Sequence, residues 1–181
     1  MVSSFACISA FAADECMKFD GVTEKITLDR EYFVDDEQCA ILAMNDAELT
    51  IDATEDGAVI AGLNEEDGLS IAVWAHDANV VINSGYYENT PDNLVDPSHV
   101  DLIYASKGAN ITINGGTFNG SIDFQTPNAA ANKGTLTITG GTFNANAYKT
   151  DVLYVGGSHS ATIDIAASVS GGTFKGEITE T

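Results

Sequence analysis

The chain has 181 residues, of which 44% are hydrophobic, and its 27 acidic and 7 basic residues give a formal net charge of -20. This length fits one domain, and an anionic surface repels nucleic-acid phosphates and acidic lipid headgroups. We therefore expect no binding to nucleic acid or to membranes, and no apolar run approaches the ~20 residues that a membrane-spanning helix needs.

The first 24 residues differ in composition from the rest of the chain. Residues 2–13 are uncharged and mostly small or apolar, as in a signal peptide, but they lack the basic segment with which such peptides begin. Exposed apolar clusters usually mark contact sites. Residues 1–24 are therefore predicted to form an N-terminal attachment or capping arm, in which Phe5, Ile8 and Phe11 contact a partner.

All three cysteines, Cys7, Cys16 and Cys39, lie in the first quarter of the chain. An odd number cannot form a closed disulfide framework, and no cysteine has a partner at the spacing of a zinc site. The pattern favours buried small hydrophobic side chains. A Cys7–Cys16 bridge stays open as an alternative.

Residues 25–181 are predicted to form one repetitive domain. Its first strand is Lys25–Leu28, and two short strands follow at Ala40–Met44 and Glu48–Asp52. Aliphatic and polar residues alternate in these segments, which is typical of strands with one buried face.

A turn motif then recurs in four segments: Ile82–Tyr87, Ile113–Phe118, Ile138–Phe143 and Val169–Phe174. The last three end in Gly-Gly-Thr-Phe, and equivalent positions lie 25 or 31 residues apart. Such a period with short strands indicates a solenoid of stacked β coils. The predicted fold is all-β, a single-stranded right-handed parallel β-helix with a short N-terminal arm or cap.

The alignment of the four motifs predicts which residues form the turns and which form the core. Glycine permits the tight corners between strands, and the predicted turn residues are Gly85, Gly115, Gly116, Gly140, Gly141, Gly171 and Gly172. Large inward side chains should form a ladder through the core, and the predicted ladder is Phe118, Phe143 and Phe174. A strand edge at the end of such a stack invites association. Either Glu177 and Glu180 blunt that edge, or another chain covers it, a second copy included.

Acidic groups at Asp35–Glu37, Glu55–Asp56 and Glu65–Asp67 could supply the paired carboxylates of a glycoside hydrolase. Two of these groups stand directly before glycine, which favours solvated turns. A lyase acting on uronate polymers needs more cations than a chain with the single arginine Arg30 offers. The histidines stand apart in sequence: His76, His99 and His159. Because no calcium-binding motif is present either, we predict no enzyme activity, no metal site and no cofactor.

Trp74, Tyr104 and Tyr154 occupy equivalent places in three short apolar strands. Aromatic residues at such places either form a buried ladder, which is the interpretation that the pattern favours, or face outward and stack on sugar rings. The three residues are the candidate glycan contact.

The stretch Asp101–Phe118, which ends in Gly-Gly-Thr-Phe, resembles the β-helix repeats of bacteriophage virion proteins, including head fibres and capsid decoration proteins, and of bacterial surface proteins. The likeness covers most of residues 40–178. It implies a fold rather than an activity, because the repeat carries no catalytic residue to transfer.

The leading hypothesis is a structural accessory protein on the surface of a phage virion. Its arm would bind the major capsid protein or another virion protein, and its solenoid would project outward with weak adhesion to host glycans. A bacterial surface protein of this type normally carries a complete leader, a wall anchor or further modules, and we expect this chain to have none of them. The second hypothesis is an adhesin or glycan-binding module that is secreted or held at the bacterial cell surface. The third is a carbohydrate-active β-helix enzyme.

Overall fold

A computed structural model describes residues 13–90, 100–125, 133–156 and 164–180. These ranges form seventeen β-strands and no helix. Every strand pair is parallel, and strands from successive repeats lie side by side. The predicted all-β parallel solenoid is confirmed. Since the described ranges hold no helix, they hold none that could cross a membrane.

Each coil of the solenoid has three walls. The first wall contains β1 (Met17–Asp20), the first half of β4 (Ile41–Ala53), the first half of β6 (Ser70–Ile82), β8 (Val100–Ser106), β11 (Ile122–Gln125), β14 (Asp151–Gly156) and β17 (Glu177–Glu180). The second wall contains β2 (Thr23–Leu28), the second halves of β4 and β6, β9 (Asn110–Ile113), β12 (Lys133–Ile138) and β15 (Asp164–Val169). Together these strands form one eleven-stranded sheet.

The third wall is a separate sheet of six strands: β3 (Glu31–Val34), β5 (Ala58–Ala61), β7 (Tyr86–Asn89), β10 (Thr117–Asn119), β13 (Thr142–Asn144) and β16 (Thr173–Lys175). The corner between the first two walls needs left-handed backbone, which Asn and Asp tolerate better than most residues. Its positive-φ residues are Gly21, Asn45, Asp46, Asp77, Lys107 and Gly108.

Inward side chains of one type stack on one another from coil to coil. Isoleucine repeats on the second wall at Ile51, Ile82, Ile113 and Ile138, each fully buried. On the third wall the stacked rings are those of Tyr87, Phe118, Phe143 and Phe174, with centroids 5.0, 4.9 and 4.6 Å apart and planes within 10° of parallel. Phe118 and Phe143 are fully buried, whereas Phe174, in the last described coil, is only partly buried.

Tyr87 was not among the predicted ladder residues, although it ends the motif Ile82–Tyr87 at the position that Phe118 holds in the next segment. It lies directly beneath Phe118 in the register and is fully buried. Its hydroxyl donates a hydrogen bond of 3.0 Å to the carbonyl oxygen of Ser84, and burial raises the pKa of the phenol. A tyrosine can thus replace phenylalanine in the ladder because the turn supplies an acceptor.

The two glycine positions of each turn are restricted to glycine for different structural reasons. A Cβ on Gly115, Gly140 or Gly171 would lie 2.7, 2.5 or 2.1 Å from a carbonyl oxygen of the coil below. The second glycine instead has a positive φ, of 113°, 109° and 101° at Gly116, Gly141 and Gly172, and Gly85 has 119°. The repeat therefore combines one steric and one conformational requirement.

Polar side chains at the end of the second wall also form a ladder. Lys25 pairs with Asp52 at 2.7 Å, and Asn83 donates to Asp52 at 2.7 Å. Asn114 then donates to Asn83 at 2.8 Å, and Thr139 donates to Asn114 at 2.9 Å. Each amide uses both its donor and its acceptor between coils, so this column adds directional bonds to the stack.

The coils begin earlier than residue 25, the predicted start of the repetitive domain. Strand β1 pairs with β4, from Met17 opposite Ile41 to Asp20 opposite Met44. Residues 17–24, which the sequence placed in the arm, therefore belong to the first coil. The predicted contact residues of the arm, Phe5, Ile8 and Phe11, lie outside the described residues.

Candidate functional site

The candidate site lies on the outer surface of the first wall. One register position there holds Leu42, Trp74, Tyr104, Asp123 and Tyr154 in successive coils, and we call this row the outer column. All of them except Asp123 are partly exposed. The flanking positions on the same strands are buried, except Val155, which is partly buried against the core, so the outer column points away from the core.

Trp74 is held by two neighbouring strands. Its ring meets that of Tyr104 edge-on at a centroid distance of 5.7 Å, and that of His76 at 6.2 Å and 90°. Its indole N–H donates to the hydroxyl oxygen of Ser106 at 3.1 Å. Because the N–H is bound within the protein, Trp74 offers a ligand mainly its ring surface.

Ser106 also links Trp74 to His76, whose Nδ1 lies 2.9 Å from the same hydroxyl oxygen. Since the hydroxyl accepts from Trp74, its own proton is available to Nδ1 of a neutral imidazole. The pKa of His76 is lowered by burial first and then by Lys107, against the opposing effect of Asp77. The lowered pKa favours the neutral imidazole, and hydrogen bonds hold the Trp74–Ser106–His76 arrangement.

Two buried carboxyl groups stand beside Tyr104. Asp123 and Asp101 are each 6% exposed, and Lys149 forms an ion pair with Asp101. Burial raises the pKa of Tyr104, and both carboxylates add to the effect. The phenol therefore stays protonated at neutral pH and remains a hydrogen-bond donor.

The structure corrects part of the sequence interpretation of these aromatic residues. Trp74, Tyr104 and Tyr154 do share one position, but they face outward and are only partly exposed, whereas the pattern favoured a buried ladder. They are also not consecutive, because β11 places Asp123 between Tyr104 and Tyr154. The segment Ile122–Gln125 was not predicted as a strand, although its alternation of buried Ile122 and Phe124 was a usable signal.

The acidic groups lie apart from this site, in turns. Glu55 and Asp56 lie in the turn before β5, and Glu65–Asp67 form another turn. Asp36 has a positive φ of 58° and accepts a hydrogen bond from the backbone N–H of Glu65 at 3.3 Å. The turns that follow the first and second coils thus stack on each other through a hydrogen bond between a side chain and the backbone. Among the described residues, no three His, Cys, Asp or Glu side chains are arranged to hold a metal ion.

Two of the three histidines, His99 and His159, lie outside the described residues, as does Cys7. The third, His76, belongs to the outer surface of the first wall rather than to an isolated loop. Comparison with protein-family models, with curated proteins and with solved structures found no match to this chain.

Proposed function

We propose that this chain is a structural, non-enzymatic solenoid that presents its outer column to carbohydrate. In its most specific form the proposal is an accessory protein on the surface of a bacteriophage virion, a capsid decoration or head-fibre protein, anchored through the N-terminal arm. The observation that carries the adhesive part is the outward, partly exposed row of Trp74, Tyr104 and Tyr154 on the first wall. The virion setting is supported by the resemblance of the repeat.

Sugar rings have one apolar face, which stacks on aromatic rings, and a rim of hydroxyl groups that form hydrogen bonds. Tyr104 and Trp74 form one aromatic subsite, and Tyr154 lies two strands further along, at about 10 Å. That spacing suits an extended oligosaccharide rather than a single sugar. With few side chains involved, we expect weak binding of individual sites, which many copies on one particle would strengthen.

Charge narrows the class of carbohydrate. Asp123 lies between Tyr104 and Tyr154 in the outer column, Lys149 offsets the charge of Asp101, and the chain as a whole has a net charge of -20. Uronate and sialic-acid polymers carry carboxylates and would be repelled. The proposal is therefore for neutral, hydroxyl-rich glycans.

Trp74 is the only tryptophan of the chain, so its fluorescence reports on the outer column alone. We expect neutral oligosaccharides to change the emission of Trp74 in a saturable way, and sialylated or uronate oligosaccharides of the same length to bind more weakly. Tyr154→Ala should weaken binding several-fold. Tyr86→Ala, which removes a partly exposed tyrosine from the third wall, is the matched control and should bind like the parent. If Tyr154→Ala binds neutral oligosaccharides as tightly as the parent, the outer column is not the glycan-binding site.

The virion setting is tested separately by mass spectrometry of purified particles. A decoration or head-fibre protein is present at a fixed copy ratio to the major capsid protein. Detection on cell envelopes instead, with no fixed ratio in particles, would favour the second hypothesis, a bacterial adhesin or glycan-binding module at the cell surface or secreted.

The third hypothesis, a carbohydrate-active enzyme, predicts that the chain releases cleavage products from a polysaccharide, whereas the structural proposal predicts none. We expect incubation with pectic, alginate and capsular polysaccharides to release no reducing or unsaturated ends. Turnover that disappears in Asp35→Asn or Asp36→Asn would establish an enzyme and overturn the structural proposal.

A further inference from the structure

Two cysteines of the first quarter of the chain meet at the start of the solenoid. Cys16 directly precedes β1 and Cys39 lies just before β4, and the backbone N–H of Met17 donates to the carbonyl oxygen of Ala40 at 2.9 Å. This pairing of the first two coils places the sulfur atoms of Cys16 and Cys39 3.7 Å apart. Both thiols are free.

The two thiols differ in environment. Cys39 is 3% exposed, whereas Cys16 is partly exposed at the end of the stack. A hydrogen bond from Cys39 lowers the pKa of Cys16, with Lys18 a weaker contribution in the same direction, and the same hydrogen bond and burial raise the pKa of Cys39. Cys16 is thus both the more accessible and the more readily ionised thiol, which are the properties of an attacking cysteine.

We propose that Cys16 and Cys39 are a disulfide-forming pair that covalently ties the first coil to the second. The geometry carries the proposal: two sulfur atoms in van der Waals contact, on adjacent strands whose register is fixed by the sheet, need only a small rotation to bond. A role as buried small side chains alone gives no reason for the two sulfur atoms to face each other.

The reaction with a small disulfide such as glutathione disulfide proceeds by two exchanges. The thiolate of Cys16 attacks one glutathione sulfur, the glutathione S–S bond breaks, and one glutathione leaves as a thiolate. Cys39 then loses its proton to solvent and attacks the sulfur of Cys16, which expels the second glutathione. Two protein thiols are oxidised and one glutathione disulfide is reduced to two thiols. Because Cys16 carries no negative charge in the mixed disulfide, it no longer opposes ionisation of Cys39.

The bond would close a loop across 23 residue positions of the first coil. Cross-linking a loop of this size disfavours the unfolded chain. The effect should be confined to the N-terminal end of the solenoid, since stacked coils contact only their neighbours.

The test uses the full folded chain incubated with glutathione disulfide, followed by alkylation of the remaining thiols and cleavage after glutamate. Cleavage after Glu15 separates Cys7 from Cys16, so each cysteine lies in its own peptide: residues 1–15, 16–24 and 38–48. We expect peptides 16–24 and 38–48 to be linked, with Cys7 alkylated. Cys7→Ser should retain the link and Cys16→Ser should lose it, and oxidised Cys7→Ser should melt several degrees above its reduced form.

A link between Cys7 and either other cysteine would overturn the proposal. So would a folded chain that keeps all three thiols after prolonged oxidation. Because the mapping uses the unaltered chain, it decides the question even if the Cys16→Ser variant does not fold.

Discussion

The two ends of the described solenoid meet solvent in different ways. At the N-terminal end Arg30 donates two hydrogen bonds to the carboxylate of Asp14, at 2.8 and 3.0 Å, and its guanidinium lies 4.0 Å from the ring centroid of Tyr32. Asp14 in turn accepts from the backbone N–H of Phe33 at 3.1 Å and donates its own N–H to the Phe33 carbonyl oxygen at 2.6 Å. Charged and backbone groups therefore occupy the outer edge of the third wall.

The last described coil has no comparable closure. Val169 and Ile178 are 46% and 57% exposed, although both continue columns that are buried one coil earlier. Phe174 stacks on Phe143 through one face of its ring and is only partly buried. The same repeat thus produces a stable interior and a weaker end, because each coil derives its stability from neighbours on both sides.

The largest expected effect contrasts two members of the phenylalanine ladder. Phe143→Ala removes a ring that is fully buried between Phe118 and Phe174, and it should lower the free energy of unfolding by about 3–5 kcal/mol. Phe174→Ala should lower it by roughly half as much, because the ring has one stacking partner in the described chain and is partly exposed. Urea denaturation followed by circular dichroism measures both.

Phe118→Ala is the matched control for Phe143→Ala, since both rings are fully buried between two others. Equal losses for Phe174→Ala and Phe143→Ala would mean that the end of the ladder is as well packed as its interior. The difference between the two ends of the molecule would then need another explanation.

A smaller loss of stability is expected from replacing glycine at the first position of the Gly-Gly turn, and it should differ between Gly140 and Gly171. Gly140→Ala would place a Cβ 2.5 Å from the carbonyl oxygen of Asn114, and Gly171→Ala one 2.1 Å from that of Thr139. The contact is closer at Gly171, yet we expect Gly140→Ala to be the more destabilising, at about 1–3 kcal/mol. The last described coil can move outward, whereas the coil of Gly140 lies between two others.

Gly68→Ala gives the reference for this pair, because a Cβ there meets nothing within 4 Å and only its φ of 73° causes strain. Thermal unfolding of the three variants ranks them. A greater loss at Gly171 than at Gly140 would show that the last described coil is as constrained as an inner one.

The parts that sequence predicted well are those governed by a repeated local requirement. A second glycine with positive φ and a phenylalanine two positions later recur wherever the same corner meets the same core, so Gly116, Gly141, Phe118 and Phe143 were identifiable without a structure. Tyr87 was left out of the predicted ladder although it ends the motif Ile82–Tyr87 at the position of Phe118; the Ser84 carbonyl oxygen accepts its hydroxyl hydrogen bond inside the core.

The parts that could not be predicted depend on register between segments with no shared motif. Cys16 and Cys39 meet only because β1 pairs with β4. The first coil has no glycine pair from which this alignment could be recognised in the sequence. The outer column required the position of β11, a short strand that brings Asp123 between two tyrosines. Its exposure depends in addition on which face of each strand turns inward, which a short apolar segment does not specify.

The smallest expected effect concerns the closed N-terminal end and depends on pH. The hydrogen bond and charge of Arg30 hold the pKa of Asp14 below its ordinary value. A carboxyl group whose pKa is lower in the folded state stabilises it fully above the unfolded-state pKa of about 3.9, and loses that contribution as pH falls through the folded-state pKa. Because Arg30 is exposed, the contribution is small.

We therefore expect Asp14→Asn to be slightly less stable than the parent at pH 7, with the difference shrinking toward zero below about pH 4. Urea denaturation at a series of pH values, under reducing conditions so that no disulfide contributes, measures the difference. In an Arg30→Gln background the same substitution should have a smaller and less pH-dependent effect, because the charge that lowers the pKa is gone. A pH-independent difference in the parent background would show that Asp14 closes the edge through its hydrogen bonds to Phe33 alone, and that the ion pair adds nothing to the contrast between the two ends.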